Sequence, residues 1–366
     1  MSTPRTRRRA TASAALVAVI AVAAAAALAP SSAQAAPKTF FGVVPNADLG
    51  NADYELMRRA NVGSARISLF WHAIEVRDDQ FVWSGTDRLI GAFAARGIRT
   101  LPQLFGSPPW VAGKLTKPPV DSARQQSEWM QFLGAVVSRY GPGGTYWRNA
   151  YPRQYPGRAP EPIKAWQVWN EQNGPKHFHP KPKVGKYASL LRISKRAIKS
   201  RDPRASIVTG GMASKPTGKG GINAWKYVRK LLKVKGARKT FDHVALHPYA
   251  GSFRQIANHV PKIRRALKRG GKKKAQTWIT EVGWSSRNKG RSKLAKTRKQ
   301  QANLLRTTYS KLKRKRRSWR IGGVYWYTWR DFKGRGVCRW CSNAGLVKRG
   351  LKPKPAYKKY RRVARG

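Results

Sequence analysis

At 366 residues, with 76 Lys+Arg against 15 Asp+Glu and a formal charge of +61, the chain is long enough to bury a large core, and its few carboxylates stand out as unusual choices. It contains no G-x-S-x-G elbow and no G-x-x-x-x-G-K-[ST] loop, which argues against esterase and nucleotide-hydrolase chemistry. Such charge attracts polyanions, but no recognition motif marks a specific nucleic-acid partner.

The N-terminus reads as an export signal. Arg5, Arg7, Arg8 and Arg9 form a basic region, an Ala/Val/Leu/Ile run continues to Leu28, and Ala33-Gln34-Ala35 makes an A-x-A cleavage site. Residues 1–35 are therefore expected to be a secretory signal, with a secreted or cell-envelope-associated domain over 36–366. The apolar run is short and alanine-rich for a membrane span.

From there a short apolar strand and an amphipathic helix alternate. The strands expected are FFGVVP (40–45), ARISLF (65–70), IRTLPQLF (98–105), AWQVWN (165–170), SIVTGG (206–211), HVALHPY (243–249), TWITEVGW (277–284) and GVYWYTW (323–329). Between them, SARQQSEWMQFLGAVVSRY, KYASLLRISKRAIKS and INAWKYVRKLLKV place apolar residues at three- and four-residue steps, a helical period. Eight strands alternating with helices predict a closed (β/α)8 TIM barrel in a single catalytic domain. An open doubly wound sheet would usually show a Gly-rich phosphate turn after its first strand, and FFGVVPNADLG has none.

In such a barrel, function collects at the strand C-termini. Those ends supply Arg66 with Trp71, Gln103 before SPPW, Asn170-Glu171, His247-Pro248-Tyr249, Glu281 and Trp329. Only six glutamates occur in the chain, and Glu171 and Glu281 alone close aromatic strand patterns. A carboxylate among apolar side chains loses hydration, so two of them at one rim point to chemistry. Aromatic faces, hydroxyl-binding polar groups and two carboxylates from the fourth and seventh strands suit glycosidic-bond cleavage. Trp110, Trp147, Trp284 and Phe178 are further candidate sugar platforms or core residues. His177-x-His179 is read as a pocket wall, and no metal or cofactor is expected. Cys338 and Cys341, three apart near the end of an exported chain, are expected to form a disulfide.

ARISLFW, FGSPPWV, VWNEQN, HPY and ITEVGW together resemble the retaining glycoside hydrolases of clan A, in particular families 5 and 39. The resemblance spans essentially the whole mature chain. It implies Glu281 as nucleophile, Glu171 as acid/base, Asn170 as a ligand of the sugar 2-hydroxyl, and Arg66, His247 and Tyr249 as supporting groups. The aromatic closing the eighth strand would be Trp326 or Trp329, with Trp329 favoured. Gln172 replaces a proline common in relatives, and Gln103 a histidine. The pattern further implies that Glu281 stays anionic beside Arg66 and Tyr249. Glu171, between Trp169 and that anion, is expected to be raised.

Basic runs recur in connections from a helix to the following strand: RDPR (201–204), KVKGARK (233–239), KRGGKKK (268–274) and KLKRKRRSWR (311–320). They are expected on the face opposite the active site, either as a solvated surface or as an anchor for an anionic cell-envelope polymer. The expected protein is a monomer acting on a carbohydrate. The competing reading is a non-catalytic polysaccharide- or envelope-binding barrel, which would have no need of Glu171 and Glu281 together.

Overall fold

The computed structural model describes residues 1–2, 36–45, 48–287, 292–333, 338 and 340–366. Apart from its first two residues, the expected signal segment lies outside the described residues. The chain divides into two units, Met1–Ala36 and Pro37–Gly366, and all the architecture below belongs to the second. Among the described residues, no helix is long and apolar enough to cross a membrane.

Eight parallel strands close into a barrel: β1 (Phe41–Val44), β2 (Ser64–Phe70), β3 (Arg99–Phe105), β4 (Ala165–Asn170), β5 (Ser206–Ala213), β6 (His243–His247), β7 (Thr277–Val282) and β8 (Ile321–Tyr327). Each pairs with its sequence neighbours, and β1 meets β8 at Phe41–Val324 to shut the ring. All eight expected strands form, and β4 falls on the residues predicted.

Eight longer helices follow: α1 (Asn51–Arg59), α2 (Ser84–Ala94), α3 (Ala123–Tyr140), α4 (Val184–Arg201), α5 (Ala224–Lys233), α6 (Phe253–Arg269), α7 (Arg298–Arg314) and α8 (Pro355–Arg365). Their starts are chemically marked. The Ser122 hydroxyl accepts from the Gln125 N–H at α3, and Thr297 and Gln300 cap each other reciprocally at α7. Inside the barrel, Val44, Leu101, Val208, Ala245 and Tyr325 form one apolar layer. Above it the filling turns polar, with Arg66, Gln103, Gln167, Thr280 and His247 all buried. Burying that many polar groups is tolerable only if they bond each other, and that condition builds the site.

The basic loops fall as expected. KRGGKKK joins α6 to β7 and KLKRKRRSWR joins the end of α7 to β8, so both sit at the strand N-termini. Part of their charge serves the fold. Lys272 Nζ donates to the carbonyls of Phe241 and Arg238, and Arg320 Nη2 donates to that of Lys274 (2.8 Å).

Candidate active site

The polar layer is organised by Arg66. Its guanidinium donates to Gln167 Oε1 through Nε (2.6 Å), to Asn170 Oδ1 through Nη2 (3.0 Å) and to Glu281 Oε1 through Nη1 (2.7 Å), with Gln103 Oε1 as a fourth acceptor. Arg66 is 2% exposed, so it is a desolvated cation with each nitrogen satisfied, and the fork fixes Glu281 in place. The second oxygen of Glu281 accepts from the Tyr249 hydroxyl (2.7 Å). Burial and the adjoining Glu281 carboxylate push the Tyr249 phenol well up, so it remains a donor.

Glu171 is held differently. Its Oε1 faces His247 Nδ1 at 2.9 Å, and its Oε2 faces His177 Nδ1 at 3.2 Å. The other ring nitrogen of His247 lies 3.0 Å from Thr280 Oγ1. Gly211 makes room for that ring, because a Cβ there would collide with it. Burial pushes the Glu171 carboxyl up, but the hydrogen bonds from His177 and His247 outweigh it and hold the group below the usual carboxylate range. This corrects the expectation of a raised Glu171: desolvation acts as anticipated, and the two imidazoles overcome it.

The backbone around Glu171 is bent to deliver it. Trp169 (φ 73°) and Glu171 (φ 39°) both lie in the left-handed region, a conformation that costs a non-glycine residue about 1–3 kcal/mol. The turn is tied down by Glu171 N–H to Gly211 O (2.9 Å) and Gly174 N–H to Glu171 O (2.8 Å). Gln172, in place of proline, is fully buried and donates to Gly210 O (3.1 Å). Single carboxylate oxygens of Glu171 and Glu281, together with His247, lie within 4.8 Å of one another. Three such atoms could in principle hold a cation, but the Arg66 guanidinium already neutralises Glu281 at 2.7 Å, and both nitrogens of His247 are engaged.

Of the residues singled out in the sequence, Arg66, Asn170, Glu171, His247, Tyr249 and Glu281 come together. Trp329 does not. It is fully buried, and its indole N–H donates to Asp53 Oδ1 (2.9 Å), a carboxylate in the first turn of α1 that also pairs with Arg330. The aromatic that β8 presents to the carboxylates is Tyr327, whose phenol is pushed up by burial and by Glu281 and Glu171. Trp110 is half-buried, edge-on to Trp71 at 6.3 Å. Trp147, Trp284 and Phe178 are core residues. Cys338 and Cys341 are joined by a disulfide, and Trp340 between them packs against Tyr249 at 5.1 Å. Tyr327 and Trp340 were not assigned to the site from sequence, and His177, read there as a pocket wall, meets Glu171 directly. Beside Tyr249 a cavity of about 470 Å³ opens towards Lys215, His259 and Lys262.

Against known proteins, the model for the glycosyl hydrolase catalytic core matches residues 158–357, more than half of the chain. The chain belongs to this family. No curated protein matches this glycosyl hydrolase core by sequence. Its fold is similar to that of a family 39 glycoside hydrolase from Bacteroides cellulosilyticus WH2 (TM-score 0.68, 21% identity, 89% of this chain and 63% of that one). It is also similar to the GH39 enzyme from Xanthomonas axonopodis pv. citri (TM-score 0.64, 18% identity, 90% and 67%). Xylanase 10B from Thermotoga maritima aligns at a TM-score of 0.59 and 16% identity, over 90% of this chain and 95% of that one. At such identities the likeness establishes the barrel, and this core spans somewhat under two thirds of the length of the Bacteroides enzyme.

Proposed function

We propose that the protein is an exported, retaining glycoside hydrolase that cleaves a polysaccharide or oligosaccharide by double displacement. The observation that carries the reading is the pair of carboxylates, with oxygens within 4.8 Å across the mouth of a barrel. A separation near 5–5.5 Å suits a retaining enzyme, whereas inversion needs about 6.5–9.5 Å to admit a water.

The surroundings assign the roles. Glu281, clamped by Arg66 and Tyr249, attacks the anomeric carbon with its position fixed in advance. Glu171 protonates the departing oxygen and then deprotonates the attacking water. The proton that Glu171 gives to the departing oxygen in the first step is regained from the attacking water in the second, so the cycle balances on this one carboxyl, and the two Nδ1 atoms hold its oxygens in place. Asn170, whose Oδ1 is taken by Arg66, keeps its amide N–H groups for a sugar hydroxyl, and Tyr327 and Trp340 supply apolar faces. The test is to follow the product by NMR on an aryl glycoside that the enzyme turns over. Retention of anomeric configuration in the first product formed is expected; inversion removes Glu281 from the nucleophile role.

The basic strand-N-terminal face is proposed to hold the enzyme on an anionic envelope polymer, with the catalytic mouth turned away. What supports this is the position of KRGGKKK and KLKRKRRSWR at the end opposite the carboxylates. Lys273, Lys274, Arg314 and Lys315 are exposed, and changing all four to Gln should release the protein from isolated envelopes. Binding should also fall as salt shortens the Debye length below about 8 Å. Undiminished pelleting of the variant would refute the anchor.

A further inference from the structure

A second cavity, of about 780 Å³, lies on the catalytic end of the barrel between the loops that follow β7 and β8. Its walls carry six cations, Arg287, Arg298, Lys333, Lys348, Arg349 and Lys354, against one carboxylate, Asp331. Six of its eleven lining residues are thus basic, compared with 76 of 366 in the chain. The cavity beside Tyr249 has three among eleven. The general basicity of the protein accounts for the second ratio and not for the first.

The cavity also has a constructed floor. Lys354, 2% exposed, donates from Nζ to Asp331 Oδ1 (2.7 Å), Ser286 Oγ (2.9 Å) and the Asn343 carbonyl (3.2 Å). One buried ammonium therefore ties the β7 loop to the β8 loop. Ser286 N–H to Asn343 O (2.8 Å) and Gly345 N–H to Asp331 Oδ1 (2.8 Å) complete the joint. Asp331 is thereby committed, leaving the other cations without a carboxylate in ion-pair range among the described residues. They converge all the same. Burial pulls the Lys354 ammonium down, and Arg298 and Lys348 press the same way against the opposing pull of Asp331. Holding like charges around a cavity is unfavourable unless an anion enters it.

We infer that this cavity is a subsite for an oxyanion, a carboxylate or phosphodiester, borne by the glycan a few units from the scissile bond. The route from one site to the other is short. Ser342 and Asn343 line the cavity, Trp340 just before them packs on Tyr249 at 5.1 Å, and Tyr249 bonds Glu281. An anionic polymer lying across Trp340 would place one sugar on the carboxylates and a charged unit over Arg298 and Lys348. The inference rests on the glycosidase reading for the polymer, whereas the anion site stands on its own lining.

The test uses the full chain and two variants that lose equal charge. The first is Arg298→Gln/Lys348→Gln/Arg349→Gln, in the cavity wall. The second is Lys226→Gln/Arg229→Gln/Lys230→Gln, on exposed positions of α5. Calorimetry at physiological salt would measure binding of three probes: an oligogalacturonate, an oligo(glycerol phosphate) and a neutral xylo-oligosaccharide of similar length. The wild type should bind at least one anionic probe more tightly than the neutral one. The cavity variant should weaken that binding about tenfold and the α5 variant less than twofold. Discrimination limited to the galacturonate identifies a uronate site, and discrimination limited to the glycerol phosphate a phosphodiester site. Equal losses in the two variants, or equal affinity for charged and neutral probes, overturn the inference. Thermal denaturation confirms that both variants fold. If the wild type hydrolyses no aryl glycoside, the glycosidase reading fails while the binding result stands.

Discussion

The two glutamates sit within 4.8 Å of each other, yet they are held by opposite means. Glu281 lies against the Arg66 guanidinium and the Tyr249 phenol, a phenol that burial and Glu281 itself push up. Glu171 lies between two imidazoles, each meeting one of its oxygens. Two carboxyls at one rim must be pushed apart in behaviour if one is to attack while the other shuttles a proton. Here the division comes less from burial than from the kind of donor each receives: a guanidinium and a phenol for the group that attacks, and two imidazoles for the group that must gain and lose a proton.

The most severe way to break the comparison is to remove the Glu281 side. Glu281→Ala should abolish turnover on every substrate, by about 10⁴-fold or more, because no glycosyl-enzyme can form. If activity on an activated aryl glycoside survives, the reading of Glu281 as nucleophile is lost. Glu171→Ala should cost about 10²–10⁴-fold with a poor leaving group and far less with a good one. Added azide should restore rate on the good one by replacing the general base. Losses independent of leaving group would remove Glu171 from the acid/base role.

How much of this asymmetry was legible beforehand can be judged residue by residue. The barrel was legible because strand and helix periods alternate cleanly, and AWQVWN maps onto β4 without a shift. The carboxylates were legible because the chain is so short of acids. The β8 aromatic, expected from the resemblance at Trp326 or Trp329, falls instead on Tyr327, as strand alternation requires. Tyr325 belongs to the apolar layer inside the barrel, so strand geometry puts Tyr327, two residues on, on the same face. Trp326 then points outward, to Trp284 and Tyr309. Trp329 lies past the strand, where its indole answers buried Asp53. His177 was legible as a pocket wall but not as a partner of Glu171. It reaches Glu171 because its loop folds back, fixed by the Trp169 indole donating to the His177 carbonyl (2.7 Å), and no local pattern announces such a contact.

A smaller effect sharpens the Glu281 side. Arg66→Met would leave the buried Gln167 and Gln103 oxygens without their donor and Glu281 without its cation. Removing one partner from such a network costs about 3–5 kcal/mol, and should appear in urea denaturation as a lower midpoint with an unchanged slope. An unaltered midpoint would mean that Arg66 does not organise the layer.

The mildest change addresses the Glu171 side. His177→Phe keeps a ring over the turn and removes one of the two hydrogen bonds to Glu171. Burial, which raises that carboxyl, is then opposed by His247 alone, so the group should move up. A higher value keeps the acid protonated to higher pH, and the basic limb of the kcat/KM profile should shift upward. At a fixed pH on that limb the gain should be about two- to fivefold. Stability should change with the opposite sign. A carboxylate held below its unfolded value contributes stability that is present above about pH 4.3 and is lost as pH falls through its folded value. The variant gives up part of that contribution, so it should be less stable than the wild type at neutral pH and converge with it in acid. Parallel pH–rate and pH–melting series would check both signs. A basic limb that stays put, or a stability gap that widens in acid, would show that His177 does not set the protonation of Glu171.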